Sequence, residues 1–145
     1  MISSRTADSI EVGEELPPLA ISLTATRIVA CAIATGDFEP FHHDRSAAQR
    51  AGRSDVFMNI LSINGLMQRC VTDWAGPGAR IHSIKLTLGG PCVAGDILTI
   101  RGKVIGRLDQ GNAQFEIELT GSTSLGHSAS ARVIMTIDEE SASPN

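Results

Sequence analysis

The sequence is poor in aromatic residues and has no tyrosine: its 145 residues include four Phe and one Trp. Proteins that bind single-stranded nucleic acids stack bases on aromatic side chains, and nucleic-acid binding in general needs a concentrated basic surface. Here 12 Lys and Arg stand against 16 Asp and Glu, for a formal net charge of -4, and no basic run occurs. We therefore expect no nucleic-acid partner.

Cysteine is scarce as well. Cys31, Cys70 and Cys92 are widely spaced and form no Cys-x-x-Cys motif, which argues against a disulfide framework and against structural zinc. The sequence also lacks an apolar run of the about 18 residues that a membrane span requires. Its first 13 residues are polar, unlike the apolar stretch of a secretory signal. We expect a cytoplasmic protein with no membrane contact and with reduced thiols.

The remaining composition is that of a single folded domain. Hydrophobic residues make up 42% and charged residues 19% of the chain, and no repeat or low-complexity tract divides it. We expect one domain over residues 1–145. Within it, the polar segments 1–13 and 139–145 are expected to be flexible.

A repeat of three and four residues predicts one long helix. One face of residues 59–74 is apolar and the opposite face is polar, as in a helix that packs on a core. Gly76-Pro77-Gly78 follows and predicts its end. The apolar positions are Ile60, Ile63, Leu66, Met67, Cys70, Val71 and Trp74.

Shorter elements precede this helix. Residues 18–23 are apolar and follow a proline pair, which is typical of an edge strand. Thr24 is placed to cap a helix that begins at Ala25, and Asp44 to cap a short helix over 45–51.

Period-two alternation predicts four further strands, centred on residues 84–88, 98–104, 115–119 and 131–137. Each has one apolar face, as in an antiparallel sheet that is covered on one side. The 59–74 helix is the large apolar element available to cover it. The pattern therefore predicts an α+β domain in which one long helix packs on an antiparallel sheet.

The densest polar cluster is the loop 34–44, ATGDFEPFHHD. Asp37 and His42 are five residues apart around a proline, so a carboxylate and an imidazole can converge on one water for general acid–base chemistry. Two other interpretations stay open from the residues alone. The acids can simply cap turns, or a metal can bind, although adjacent His42 and His43 lack the usual ligand spacing.

The run from Ala34 to His42 resembles the signature of the MaoC-like, R-specific enoyl-CoA hydratases: small residue, Gly, Asp, any residue, Asn, Pro, apolar residue, His. The resemblance implies a hot-dog domain, in which the sheet wraps the long helix, with Asp37 and His42 as the catalytic pair. Glu39 stands where the family usually has Asn. A second carboxylate beside Asp37 would alter its hydrogen bonding or pKa.

A second resemblance lies in the long helix, where Asn64-Gly65-Leu66 is similar to the family's His-Gly-apolar step. It implies that an amide near Gly65 faces the thioester oxygen, with Asn64 in place of the histidine. Asn59 either lines the substrate channel or caps the helix. Asn59, Asn64 and Gly65 are thus the candidate substrate-binding residues. The implied reaction needs no metal and no cofactor, since coenzyme A is part of the substrate.

Residues 20–137 resemble one subgroup in particular, the small subunits of steroid side-chain hydratases, through DFEPFHHDRSAA, DVFMNILSINGLMQRCVTDWAGP and IKLTLGGP. This implies hydration of a bulky trans-2-enoyl-CoA by a heteromer with a second hot-dog chain that lacks the Asp and His. Three alternatives stay open: a homodimeric short-chain hydratase, an acyl-CoA thioesterase and a non-catalytic subunit. The absence of a carboxylate from residues 59–72 weighs against the thioesterase. Candidates for the coenzyme phosphates are Arg45, Arg53, Arg69, Arg80 and Lys85.

Overall fold

A computed structural model describes residues 5–110 and 112–138. Its three α-helices precede four of the five strands in the chain. The elements are β1 (Glu15–Ser22), α1 (Ala25–Ala34), α2 (Arg45–Arg50), α3 (Ile60–Ala75), β2 (Ala79–Leu88), β3 (Ile97–Gln110), β4 (Asn112–Thr123) and β5 (Gly126–Ile137). Short 3-10 turns occur at Ala7–Ser9 and Pro40–His42.

The strands form one antiparallel sheet in the order β1-β3-β4-β5-β2. The predicted edge strand is confirmed, and it begins earlier than expected, at Glu15. The pairing of β1 with β3 shifts register between Leu16 and Leu19. Pro17 and Pro18 occupy this shift and have no N–H to donate to the ladder, which is why an edge position suits them.

The long helix α3 packs on the sheet and supplies the centre of the core. Met67 and Val71 are fully buried, as are Phe115, Leu119 and Val133 on the strands that face them. This confirms the predicted α+β architecture, a hot-dog domain in which the sheet wraps one long helix. The predicted helix 59–74 is observed as Ile60–Ala75, with Asn59 as its N-cap.

The four predicted strands are confirmed, but the observed strands are longer: β3 and β4 extend further at both ends, and β2 and β5 begin earlier. Register shifts occur in β2 between Ile81 and Ser83 and in β3 between Val104 and Gly106. An irregularity of this kind changes which residues face the core, so a strict period of two stops there although the strand continues. The alternation therefore located each strand and the last residues of β2 and β5, but it missed the other strand ends.

Both predicted caps of the shorter helices are confirmed. Thr24 Oγ1 accepts a hydrogen bond from the Arg27 N–H at 3.1 Å and so begins α1. Asp44 Oδ1 accepts from the N–H groups of Ser46 and Ala47, at 2.8 and 3.2 Å, and begins α2. These caps determine where the loop between the two helices starts and ends.

The segment before β1, which was expected to be flexible, makes specific contacts over residues 5–13. Ile10 is 2% exposed within the core, and the Gly13 N–H donates to Val104 O at 2.8 Å. Residues 1–4 and 139–145 of the expected flexible segments lie outside the described residues. Within the described part of the chain, no helix has the length and apolar character that a membrane span needs.

We expect Met67→Ala to lower the free energy of unfolding by about 2–5 kcal/mol. The Met67 methyl group packs over Gly121 of β4, where a Cβ would lie 3.1 Å from it, so truncation leaves a cavity between helix and sheet. Urea unfolding followed by Trp74 fluorescence measures the change. Thr72→Ala, on the exposed face of α3, is the control, with an expected change within about 0.5 kcal/mol. Equal effects of the two substitutions would contradict the central place of this contact.

Candidate active site

The loop between α1 and α2 brings the two predicted reactive side chains together. Gly36 ends α1 in the left-handed region, with φ of 69°, a conformation that favours glycine. The Asp37 N–H then donates to Ala32 O at 2.9 Å, and the 3-10 turn Pro40–His42 returns the chain to the same side. The Gly and the Pro of the loop thus determine the spacing of the acid and the imidazole.

The Asp37 carboxylate is held by hydrogen bonds on both oxygens. Oδ1 accepts from the Glu39 N–H at 3.2 Å, and Oδ2 accepts from Asn59 Nδ2 at 3.0 Å. The Asn59 bond is the largest cause, and the Glu39 bond the next, of a pKa of Asp37 below its ordinary value. Because the folded structure lowers the pKa of Asp37, its carboxylate stays ionised at a pH equal to the ordinary pKa of an aspartate. It is protonated only at a lower pH.

Glu39, which stands where the family has Asn, contacts Asp37 through its backbone rather than its side chain. The Glu39 side chain is exposed. The backbone N–H of this position thus supplies a donor to Asp37, and the Asn59 amide, which comes from another element, supplies a second.

His42 is buried, and a backbone carbonyl orients its ring. Nδ1 lies 2.6 Å from Phe57 O, and the Phe57 ring packs edge-on against the imidazole, with ring centroids 5.0 Å apart. A carbonyl oxygen can only accept, so Nδ1 carries the proton. In the neutral ring the Nε2 lone pair then points towards Asp37, and Nε2 lies 3.4 Å from Asp37 Oδ2. Two acceptors that converge in this way suit a water or hydroxyl group that donates to both.

The pair opens on a cavity of about 280 Å³ between the loop, the start of α3 and the segment after β2. Most of its walls are apolar, with few polar groups, as in pockets that bind small molecules. Apart from Asp37, His42 and Asn59, the lining residues are Arg53, Phe57, Met58, Ile60, Ile63, Leu88, Gly89, Gly90, Pro91 and Cys92.

Asn59 lies at this cavity, but its side-chain polar atoms face the protein. Oδ1 accepts from the Ser62 N–H at 3.2 Å and from the Ser62 hydroxyl, and Nδ2 donates to Thr35 Oγ1 at 2.9 Å and to Asp37. Of the two roles considered for Asn59, helix capping is therefore observed. A direct hydrogen bond from the Asn59 side chain to a substrate is not supported, because its polar atoms already have hydrogen-bond partners within the protein.

The structure does not bring Asn64 and Gly65 to the cavity. Asn64 Oδ1 accepts from Gln68 Nε2 at 2.5 Å, and Gly65 is exposed on α3. Gly65 is the sixth residue of α3, and an N–H at that depth is directed to the carbonyl four residues earlier in the helix. The expectation that a Gly65 amide faces a substrate carbonyl is therefore corrected.

Available amides occur instead at the start of α3. Among the acceptors in residues 5–110 and 112–138, none receives a hydrogen bond from the N–H of Asn59 or Ile60, two residues that line the cavity. Helix N-termini expose such N–H groups and carry a partial positive charge. The N-cap signal of Asn59 in the sequence could have located them, since it marks where the unbonded amides of a helix lie.

Two parts of the site have no local signal in the amino-acid sequence. The Phe57 carbonyl that orients His42 is a backbone group, which any residue would supply. Gly89-Gly90-Pro91 reads as a strand break, and its place in the cavity wall depends on how β2 and β5 pair. The Gly89 N–H donates to Ser128 O at 2.8 Å, and a Cβ at Gly89 would lie 2.8 Å from the His127 ring.

The five cations that were candidates for phosphate binding differ in their surroundings. Arg53 lines the cavity, and its guanidinium lies 5.8 Å from the Phe57 ring centroid. Lys85 lies in another surface depression, with Glu118 and Arg132. The other three form ion pairs: Arg45 with Asp55 at 2.7 Å, Arg69 with Asp73 at 3.1 Å and Arg80 with Asp138 at 2.6 Å.

The described residues contain no cluster of three or more His, Cys, Asp or Glu side chains that could hold a metal ion. The metal interpretation of the loop therefore has no support from the geometry. The cysteines nearest the core are poor nucleophiles, because burial raises the pKa of the Cys70 thiol to about 11 and also raises the pKa of Cys92.

Comparison with known proteins gives a consistent result. Residues 9–125 match a family model described as MaoC like domain. The chain is 43% identical over 126 residues to the 3-oxo-4,17-pregnadiene-20-carboxyl-CoA hydratase beta subunit of Mycobacterium tuberculosis. That alignment covers 87% of this chain and 95% of the relative.

Solved structures agree with this match. A chain of the ChsH1-ChsH2 complex from Mycobacterium tuberculosis superposes with a TM-score of 0.83 at 42% identity, covering 88% of this chain and 98% of that one. The R-hydratase PhaJ1 from Pseudomonas aeruginosa superposes with a TM-score of 0.84 over 93% of this chain and 86% of that one. Its identity is 18%, so it shows the shared fold.

We expect neutral His42 to carry its proton on Nδ1, because the Phe57 carbonyl accepts from that atom. A long-range ¹H–¹⁵N correlation spectrum distinguishes the two tautomers. His43 provides an internal comparison, since its Nε2 lies 3.3 Å from Phe38 O and the opposite tautomer is favoured there. A neutral His42 protonated on Nε2 would contradict this orientation of the ring.

Proposed function

Since the chain belongs to the MaoC-like family of hydratases and dehydratases, we propose that it adds water across the double bond of a trans-2-enoyl-CoA. We propose further that the acyl group is a bulky steroid side chain and that Asp37 and His42 are the catalytic residues. The observation that carries the proposal is the convergence of Asp37 Oδ2 and His42 Nε2, 3.4 Å apart, on an apolar cavity.

The pair is suited to holding and activating one water. The water donates one hydrogen to Asp37 Oδ2 and the other to His42 Nε2, which leaves its lone pair directed at the substrate. Because the pKa of Asp37 is lowered, this carboxylate is the weaker base, and His42 Nε2 is the group that accepts the proton. The ionised Asp37 then stabilises the imidazolium that forms, as an oriented carboxylate does beside a general base.

The atoms balance without a further reactant. The water oxygen bonds to the β carbon, the electron pair of the double bond moves towards the α carbon and the thioester oxygen, and Nε2 takes the proton. The imidazolium then returns that proton from Nε2 to the α carbon on the same side, which gives syn addition of H and OH and restores the neutral ring. The thioester itself makes the α position acidic enough, so the proposed reaction uses no metal and no cofactor other than the coenzyme A of its substrate.

The start of α3 is the proposed site of oxyanion stabilisation. The N–H groups of Asn59 and Ile60 have no acceptor within the described residues and lie at the positive end of the helix dipole. Donors that are already oriented towards a developing negative charge are among the most effective catalytic elements. They replace Gly65 as the groups proposed to face the thioester oxygen.

The position of Arg53 at the cavity supports the proposal that the substrate is negatively charged. Its side chain lines the cavity and has an aromatic partner, Phe57, whereas Arg45, Arg69 and Arg80 are paired with carboxylates. We propose that Arg53 interacts with the coenzyme A portion of the substrate.

The size and the surroundings of the cavity support a heteromer. About 280 Å³ is small for a steroid thioester, since drug-sized ligands occupy about 300–1,000 Å³. Phe38, Ile60 and Leu88 at the loop and cavity are 69%, 48% and 47% exposed, and β2 is an edge strand. We propose that a second hot-dog chain covers this side and completes the acyl pocket. The similar chain of known structure from Mycobacterium tuberculosis was likewise solved in a complex of two named chains, ChsH1-ChsH2.

The alternatives have less support. A thioesterase would need a carboxylate of the long helix near the substrate, but Asp73 lies at the far end of α3, pairs with Arg69 and lines a separate depression with Trp74. A non-catalytic subunit would have no use for an ordered Asp37–His42 pair. A homodimeric short-chain hydratase uses the same chemistry and differs in substrate and partner, so an assay that varies both distinguishes it from the steroid hydratase.

We expect Asp37→Asn and His42→Ala each to reduce turnover of an enoyl-CoA by about 10²–10⁴-fold, because each removes a group that holds or activates the water. Loss of the enoyl-thioester absorbance of a steroid enoyl-CoA, with the complementary chain of the M. tuberculosis ChsH1-ChsH2 complex present, measures the rate. His43→Ala, which changes the exposed neighbour in the same loop, is the control and should keep the wild-type rate. Wild-type rates in both Asp37→Asn and His42→Ala would refute the assignment.

A second experiment tests substrate and partner together. The chain is assayed on crotonyl-CoA and on a steroid enoyl-CoA, alone and mixed with the complementary chain of the M. tuberculosis ChsH1-ChsH2 complex. We expect turnover of the steroid thioester to appear only in the mixture, since one chain leaves the acyl side exposed. Efficient hydration of crotonyl-CoA by the chain alone would favour the short-chain homodimer instead.

A further inference from the structure

We propose that the side chain of Asn59 is a positioning residue, which holds the Asp37 carboxylate in the orientation that faces His42. This inference rests on the proposed function and adds a role that the sequence did not assign. Asn59 is 2% exposed, and its Nδ2 lies 3.0 Å from Asp37 Oδ2, the oxygen closest to His42 Nε2.

The hydrogen bonds of Asn59 leave no side-chain group for a substrate. A primary amide has two N–H donors and one oxygen with two lone pairs. The donors are used by Thr35 Oγ1 and Asp37 Oδ2, and the oxygen accepts from the N–H and the hydroxyl of Ser62. One buried amide therefore joins the end of α1, the catalytic loop and the start of α3.

These hydrogen bonds also determine the orientation of the Asn59 amide, that is, which side carries Oδ1 and which carries Nδ2. Ser62 N–H is a donor and can be satisfied only by Oδ1, which directs Nδ2 towards Asp37. An N–H donor stabilises the ionised carboxylate and opposes its rotation away from His42. The other titratable groups near Asp37 are His42, Arg53 and Cys92 around the cavity and Glu39 in the loop. Of these groups, Glu39 donates to Asp37 through its backbone N–H, on Oδ1, whereas the side-chain donor to Oδ2 is the Asn59 amide.

The substitution Asn59→Asp distinguishes a role in positioning Asp37 from a role in folding. The new side chain has nearly the same shape and keeps an oxygen for the N–H of Ser62, so the cap of α3 is preserved. The donor to Asp37 is replaced by an oxygen at about the same place. Two carboxylates at this distance cannot both be ionised easily, so the pair retains one proton to a higher pH than Asp37 does alone.

We therefore expect kcat of Asn59→Asp to fall by about 10–100-fold at alkaline pH, once the pair has lost its shared proton, with KM within about twofold. As the pH is lowered the shared proton restores a donor between the two oxygens, and the deficit relative to the wild type shrinks. Gln68→Glu is the matched control, an amide-to-carboxylate change on α3 outside the cavity, and should keep the wild-type kcat and pH profile.

Two results would overturn the proposal. A raised KM with unchanged kcat would make Asn59 a substrate contact. A loss of kcat that is equal at every pH, together with a lower melting temperature, would make its role structural.

A readout that needs no turnover distinguishes this proposal from the proposed function. A ¹³C NMR titration of the Asp37 carboxyl group should show a higher apparent pKa in Asn59→Asp than in the wild type, even if neither enoyl-CoA is a substrate. An unchanged Asp37 titration would refute the positioning role, whereas failure of hydration with a shifted titration would refute only the proposed reaction.

Discussion

The packing of α3 against the sheet is the contact on which the rest of the site depends. Met67 and Val71 fix the helix over the strands, and this placement brings its N-cap residue, Asn59, beside the loop that follows α1. The loop itself contributes few core side chains. Its geometry is determined by helix ends, by one left-handed glycine and by hydrogen bonds to α3.

The polar groups around Asp37 and His42 have separate tasks that follow from their donor and acceptor chemistry. The Phe57 carbonyl fixes the protonated nitrogen of His42, and the Asn59 and Glu39 N–H donors stabilise charge on Asp37. The groups that remain available are of two kinds. Two acceptors, Asp37 Oδ2 and His42 Nε2, face one another, and the N–H groups of Asn59 and Ile60 lie at the start of α3. In the proposed reaction, this division assigns proton transfer to one wall of the cavity and oxyanion stabilisation to another.

Much of the fold could be predicted from the sequence because its signals are local. The three-four repeat of α3, the caps at Thr24 and Asp44, and the alternation in the middle of each strand all operate over a few residues. Most of the strand ends and the packing of residues 5–13 were not predicted. They depend on register shifts and on contacts such as Gly13 with Val104, which join residues far apart in the chain.

The proximity of the proposed catalytic pair could be predicted from local sequence, since the Gly-Asp and Pro-x-His spacing of one loop places Asp37 and His42 within reach of each other. The hydrogen-bond partners of that pair follow only from the way the chain folds in space. Asn64 and Gly65 match a familiar step in the sequence, but helix geometry keeps them away from the cavity, and Asn59, one and a half turns earlier, lies there instead. These contacts depend on which side of α3 a residue faces and on how segments that are far apart in the chain pack together. A local sequence pattern shows neither of these.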